Sequence, residues 1–298
     1  MPHIPVRVRA AVAGVAVAIS VAACAGADPT PAAPDSGPDL FDALPQKVEL
    51  PPVPEIPTTT VAPPAPTVTP KPKPKSEVKK AAEDAGPKLD WKRVGGDEFD
   101  GGLDEDTWNL YDSIGGFGNG LRRPEAISVS DGTLKITGRD EVSGGMGHSH
   151  GQLYGRWEFR ARTEPGRGFG SAILLWPDSE QWPEDGEIDM MEVPTEDRVR
   201  AHFVLHYGED NNIVGTSVPG DYTEWHTFAV EWLPDRLTWF VDGKKHFETT
   251  DLEAIPKTPM HLTIQLDQGP KKDWLPERDE TTPDEVSLEV DWVRVYEL

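Results

Sequence analysis

Three carboxylates, Glu187, Asp189 and Glu192, fall within six residues of the otherwise apolar run GEIDMMEV, Gly186 to Val193. Charge among apolar neighbours is costly unless it is paired or used. Ile188, Met190 and Met191 point to a strand with one face in a core, and strand side chains alternate, so Glu187 and Asp189 share the opposite face. Glu192 is out of phase by one residue. A β-bulge with one extra residue, Met190 or Met191, turns it back onto the face of the other two. A glutamate pair on one face is what glycoside hydrolysis with retention requires: a nucleophile and an acid/base about 5 to 5.5 Å apart across the scissile bond. Four strand steps cover about 13 Å, so the two side chains must lean together over a bent strand. Crowding spreads the three pKa values, which can keep one Glu protonated as the acid while Asp189 sets the charge of its neighbour. A charged strand edge in an acidic protein is the other reading of the same spacing.

The elements that must hold this strand are legible from Leu89 onward as short alternating segments separated by Gly, Asp, Asn and Pro. Trp157, Phe159 and Ala161 alternate with Glu158, Arg160 and Arg162, and Leu134 and Ile136 alternate with Lys135 and Thr137, the pattern of half-buried antiparallel strands. LTWFVDGKKHF predicts a hairpin turning at Asp242-Gly243. No long segment has a 3.6-residue apolar period. The fold class expected is all-β, an antiparallel β-sandwich. Trp157, Trp239 and Trp292 are expected in the core or on the outer sheet.

LLWPDSEQWPEDGEIDMMEV resembles the active-site strand of glycoside hydrolase family 16, the laminarinase, lichenase and agarase family, whose bulged signature is E-x-D-x-x-E. DEFDG near the start of the domain, HTFAVEWLPDRLTWFVDG and the closing VDWVRVYEL resemble other strands of that family. The resemblance covers roughly the last 210 residues, a length compatible with one large β domain. It implies a two-sheet jelly roll with a concave carbohydrate-binding cleft and a retaining endo-β-glycosidase that needs no redox cofactor. Glu187 becomes the nucleophile, Asp189 the residue that tunes it and Glu192 the general acid/base. Trp182-Pro183 matches a cleft-lining position; Trp176 stands on the same approach, and flat aromatic faces stack on pyranose rings. His206 in LHYG matches a histidine facing the cleft, with His202 a weaker candidate four residues earlier. GGFGNGLRRPEA resembles the loop walling the sugar site, where Asn119 could hydrogen-bond hydroxyls and Arg122 and Arg123 could reach a sugar oxygen or an acidic substituent; a glycine turn with solvated arginines is the other reading. Two departures from the family pattern concern substrate contacts: Arg123-Pro124 in that loop, and IQLDQG, with Gln265 and Asp267, in place of LNLAVGG. Glu98 and Asp291 match positions where many members bind a structural calcium through oxygen ligands. His148 and His150 belong to a glycine-rich loop and are expected in solvent.

The ends of the chain bear on location. Residues 1–27 read as a secretory signal, with Arg7 and Arg9 before an apolar run from Ala10 to Ala23. VAAC resembles a bacterial lipobox, in which Cys24 is lipidated and becomes the mature N-terminus. Cleavage after Ala27 is the competing reading, because Ala25-Gly26-Ala27 fits the A-x-A rule. Cys24 is the only cysteine, so no intrachain disulfide can form and packing alone must hold the fold. Residues 28–87 hold more than half of the 30 prolines and read as a disordered polyproline-rich linker of about 180 Å at full stretch. Residues 88–298 are the catalytic domain. A formal net charge of -23 argues against nucleic acid as a partner, while neutral polysaccharide poses no charge problem. The basic cluster KPKPKSEVKK reads as solubilising linker, or as a contact with anionic wall polymer or lipid headgroups. The combined expectation is a monomeric enzyme of the bacterial cell envelope, lipid-anchored on the outer face of the membrane. Two alternatives remain, a non-catalytic carbohydrate-binding lipoprotein and an envelope-remodelling transglycosylase.

Overall fold

The computed structural model describes residues 89–298; the expected signal over residues 1–27, Cys24 and the expected linker over residues 28–87 lie outside the described residues. The described chain forms strands β1 (Lys92–Asp97), β2 (Trp108–Leu110), β3 (Ser113–Ile114), β4 (Leu121–Arg122), β5 (Ile127–Ser130), β6 (Thr133–Gly138), β7 (Val142–His148) and β8 (Gly155–Thr163). They continue with β9 (Phe169–Pro177), β10 (Glu187–Val193), β11 (Arg200–Tyr207), β12 (Asn212–Pro219) and β13 (His226–Leu233). The last four are β14 (Arg236–Val241), β15 (Lys244–Thr249), β16 (Met260–Gln268) and β17 (Val286–Glu297).

Two sheets pack face to face in a jelly-roll sandwich. One runs β15-β14-β13-β8-β17-β6-β5, with β1 also on β17; the other runs β12-β11-β10-β9-β16-β7-β4-β3, with β2 on β7. Pairing is antiparallel apart from β4 on β7. Period-two patterning places the strands: β8 alternates buried and partly exposed residues along its whole length, with Trp157, Phe159 and Ala161 turned inward as expected. β6 does the same with Leu134 and Ile136. Phe228 and Trp239 of the first sheet meet Phe203, Leu205 and Ile188 of the second in one apolar core, and the Phe203 and Phe228 rings touch edge-on, 6.5 Å apart. The hairpin turn falls at Asp242-Gly243, both residues with positive φ, the backbone of a two-residue primed turn.

Strand β10 sits between β9 and β11. Its ladder slips against both neighbours, after Asp189 on the β9 side and between Asp189 and Glu192 on the β11 side. Met190 is the residue skipped in the pairing with β9, and Met190 and Met191 are both buried, each 1% exposed. The expected bulge is therefore present. The Asp189 carbonyl, at the point of slippage, is satisfied by Trp239 Nε1 reaching across from the other sheet at 2.9 Å. At the start of β10, Gly186 has φ +85, and a Cβ there would come within 2.9 Å of the His206 carbonyl oxygen. Arg198 secures the far end: fully buried, it donates to the carbonyls of Val193, Thr195, Glu164 and Gly166.

Candidate active site

Glu187, Asp189 and Glu192 all emerge on the face of β10 turned away from the core, while Ile188 and both methionines lie beneath. Across β11, Glu187 is paired with His206, Asp189 with Val204 and Glu192 with His202. Across β9 and β16, Glu192 continues to Ala172 and then to Gln265. Glu187 and Glu192 are partly exposed; Asp189 between them is 1% exposed.

Each carboxyl of the row has a distinct environment. Asp189 is buried with neither oxygen hydrogen-bonded to a neighbouring donor, and His206 Nε2 stands off at 3.6 Å from Oδ2. Burial, then the charges of Glu187 and Glu192, push Asp189 well above the usual carboxylate range. Burial also raises Glu187, but His206, the Trp182 indole N–H at 2.8 Å from Oε2 and the Asp189 proton all draw it back. Glu192 has no such relief. Burial and the charges of Glu187 and Asp267 push it up to about 8.

The rim at the Glu187 end is aromatic. Trp182, 40% exposed, stacks on Trp176 with ring planes 12° apart and centroids 6.2 Å apart, and its other neighbour is the His206 ring at 6.0 Å. Trp176 Nε1 is tied to Glu180 and His206 Nδ1 to Asn211 Oδ1, at 3.0 and 2.8 Å. An exposed stacked indole pair beside a protonated and an ionisable carboxyl can hold a sugar ring and act on its glycosidic bond.

Comparison with known proteins agrees with this geometry. The family model of "Glycosyl hydrolases family 16" matches residues 119–294. A β-glucanase of Rhodothermus marinus is 34% identical over 249 residues, covering 69% of this chain and 85% of that protein. The chain belongs to glycosyl hydrolases family 16. It is accordingly a glycoside hydrolase acting on O-glycosyl bonds, of the endo-β-glycosidase kind. A glucan endo-1,3-β-glucosidase of Cryptopygus antarcticus is 29% identical over 184 residues, 52% of this chain and 67% of that protein. Among solved structures, the catalytic domain of an endo-1,3-β-glucanase (laminarinase) from Thermotoga petrophila RKU-1 superposes with a TM-score of 0.63 at 27% identity, covering 70% of this chain and 98% of that one.

The other candidate residues of this family 16 hydrolase divide by position. Gln265 lies in the Glu192 row. Arg122 and Asn119 are committed to the protein itself. Arg122 forms an ion pair with Asp267 at 2.7 Å, and the Asn119 amide donates to the Pro270 carbonyl at 2.8 Å, fastening the glycine-rich loop to the end of β16. His202 is buried against the Trp274 ring, and its pKa is lowered to about 4 by burial. Glu98 and Asp291, where the resemblance implied a structural calcium, are each paired with arginine. Glu98 is bound through both oxygens by Arg294 and again by Arg93, while Asp291 accepts from Arg160 at 2.7 Å. Carboxylates already neutralised by guanidinium groups are poor ligands for a hard cation. Among the described residues, the group whose potential ligand atoms converge within 4.8 Å is Glu187, Asp189 and His206, and neither Glu98 nor Asp291 belongs to it. Sequence reasoning missed Asn211 and the Trp239 bond to Asp189. Asp267 was noticed only as a departure, although its spacing two residues from Gln265 puts it on the same face.

Proposed function

We propose that the protein is a retaining endo-β-glycosidase that cleaves a β-linked polysaccharide by double displacement, with β-1,3-glucan as the preferred substrate. The observation that carries this reading is the bulge that brings Glu187, Asp189 and Glu192 onto one face, with the Glu192 carboxyl at about 8. Near neutral pH Glu192 holds the proton that a departing sugar oxygen needs. Glu187, aligned by the Trp182 N–H, attacks the anomeric carbon as the C–O bond breaks, and Glu192 passes its proton to the leaving oxygen. Glu192, now a carboxylate, then takes a proton from water, whose oxygen displaces Glu187 from the glycosyl-enzyme. Asp189, beside Glu187 on the same face, lowers the Glu187 pKa and so favours the carboxylate that attacks and later leaves.

The β-1,3 preference is supported by the names of the Cryptopygus and Thermotoga relatives. It is tested by mass spectrometry of products from β-glucans and galactans, with Glu187→Gln alongside. Oligosaccharides released by wild type alone are expected. Glycan binding by both proteins without products would point to a binding module, and products longer than the substrate to a transglycosylase.

We further propose that the enzyme is a monomer of the bacterial envelope, lipidated at Cys24 and set off from the membrane by residues 28–87. Mass spectrometry of the mature N-terminus decides the anchor: an unmodified chain beginning at Asp28 would refute it.

A further inference from the structure

We propose that Asp267 is a substrate-binding residue that accepts a hydrogen bond from a hydroxyl of the bound glycan and so helps to determine which sugar unit is taken beside the cleavage point. This rests on the glycosidase reading and concerns a residue outside the carboxylate row. On β16, Leu262, Ile264 and Leu266 turn into the core, which leaves Gln265 and Asp267 on the outer face that carries the site. Asp267 is 4% exposed. Its Oδ1 collects every hydrogen bond the described residues give it: from Gly116 N at 3.0 Å, Arg122 Nε at 3.0 Å and Arg122 Nη2 at 2.7 Å. Oδ2 receives none.

A carboxylate can accept about four hydrogen bonds, so Oδ2 keeps acceptor capacity that no donor of the described residues uses. Three donors on one oxygen also fix the plane of the group, so Oδ2 is held in place. The support extends outward: the Arg122 guanidinium lies over the Tyr111 ring at 5.6 Å, and the Tyr111 hydroxyl bonds Thr263 at 3.1 Å. A Cβ at Gly116 would sit 2.9 Å from the Asp267 carboxyl atoms, so the loop closes on Asp267 only because that residue is glycine. The Asp267 charge acts on both Glu187 and Glu192, as expected of a group beside the reacting centre. An acceptor held this way suits a neutral hydroxyl, whereas an anionic substituent would be repelled by Asp267 and by the carboxylate row.

The test uses Asp267→Ala and Asp267→Asn, assayed with wild type on β-1,3-glucan oligosaccharides and on their monodeoxy analogues, with circular dichroism to check the fold. We expect kcat/KM on the parent oligosaccharide to fall about 10- to 100-fold. One deoxy analogue that is slow with wild type should lose its penalty in the variant, because the missing hydroxyl and the missing acceptor are the same contact. Unchanged kcat/KM, or penalties that add at every position, would overturn the proposal. If the alanine variant fails to fold, the near-isosteric asparagine variant carries the same comparison. If wild type cleaves none of the oligosaccharides, the β-1,3 preference fails by itself, and calorimetric affinities of the same sugars for the two proteins decide the Asp267 contact.

Discussion

Glu192 concentrates the residue-scale argument, because its proton links catalysis to stability. In the proposed role of general acid it works only while protonated, so kcat/KM should decline as pH rises through about 8. Glu192→Gln should lower the rate about 10²- to 10⁴-fold and abolish that alkaline limb. Its effect on stability has the opposite sign. The folded-state pKa of about 8 lies above the ordinary value of 4.5, so the stabilisation is full below about 4.5 and is lost as pH rises through about 8. The variant, neutral throughout, should therefore melt like wild type near pH 4 and increasingly above it towards pH 9. Parallel melting curves across that range would show that Glu192 is not titrating as a buried acid. The carboxyl row was legible in E-x-D-x-x-E, but the size of the Glu192 shift was not: that comes from burial, from Glu187 and from Asp267, a residue 75 positions away in the chain.

At the scale of elements, the decisive device is the slip in β10. Alternation made an extra residue necessary, since Glu192 could not otherwise share a face with Glu187 and Asp189. It did not say which methionine was inserted; the pairing with β9, which skips Met190, does. The bulge is held from the opposite sheet by Trp239, whose indole N–H caps the Asp189 carbonyl. Trp239→Phe removes that donor and part of a fully buried ring, so chemical denaturation should show a loss of about 1–3 kcal/mol for the unbonded buried carbonyl plus a cavity cost. Activity should fall further than in a variant of equal stability loss away from β10, because Asp189 and Glu192 would lose their alignment. An equal fall would reduce Trp239 to ordinary core. The sequence pattern rightly placed Trp239 in the core, yet no pattern announces a hydrogen bond between residues 50 positions apart. Arg198 was equally invisible, because a buried arginine is expected only where carbonyls converge, and that convergence is three-dimensional.

For the whole molecule, one cysteine and arginine-paired carboxylates at Glu98 and Asp291 leave the sandwich to be held by its core. Neither a reductant nor EDTA should move the melting temperature. A drop with EDTA that calcium restores would mean that the arginine pairs give way to a cation. Short-range regularities let the sequence by itself determine the all-β class, the Asp242-Gly243 hairpin and the residues that could act on a glycosidic bond, because strand alternation, turn chemistry and a carboxylate motif are all written within a few positions. Only the tertiary structure decided that Arg122 pairs with Asp267, that Glu98 and Asp291 answer to arginines, and that the Asp267 charge acts on Glu187 and Glu192. Each of those outcomes is a contest between charged partners far apart in the chain, and such a contest is settled by which sheet edge brings them within hydrogen-bonding distance.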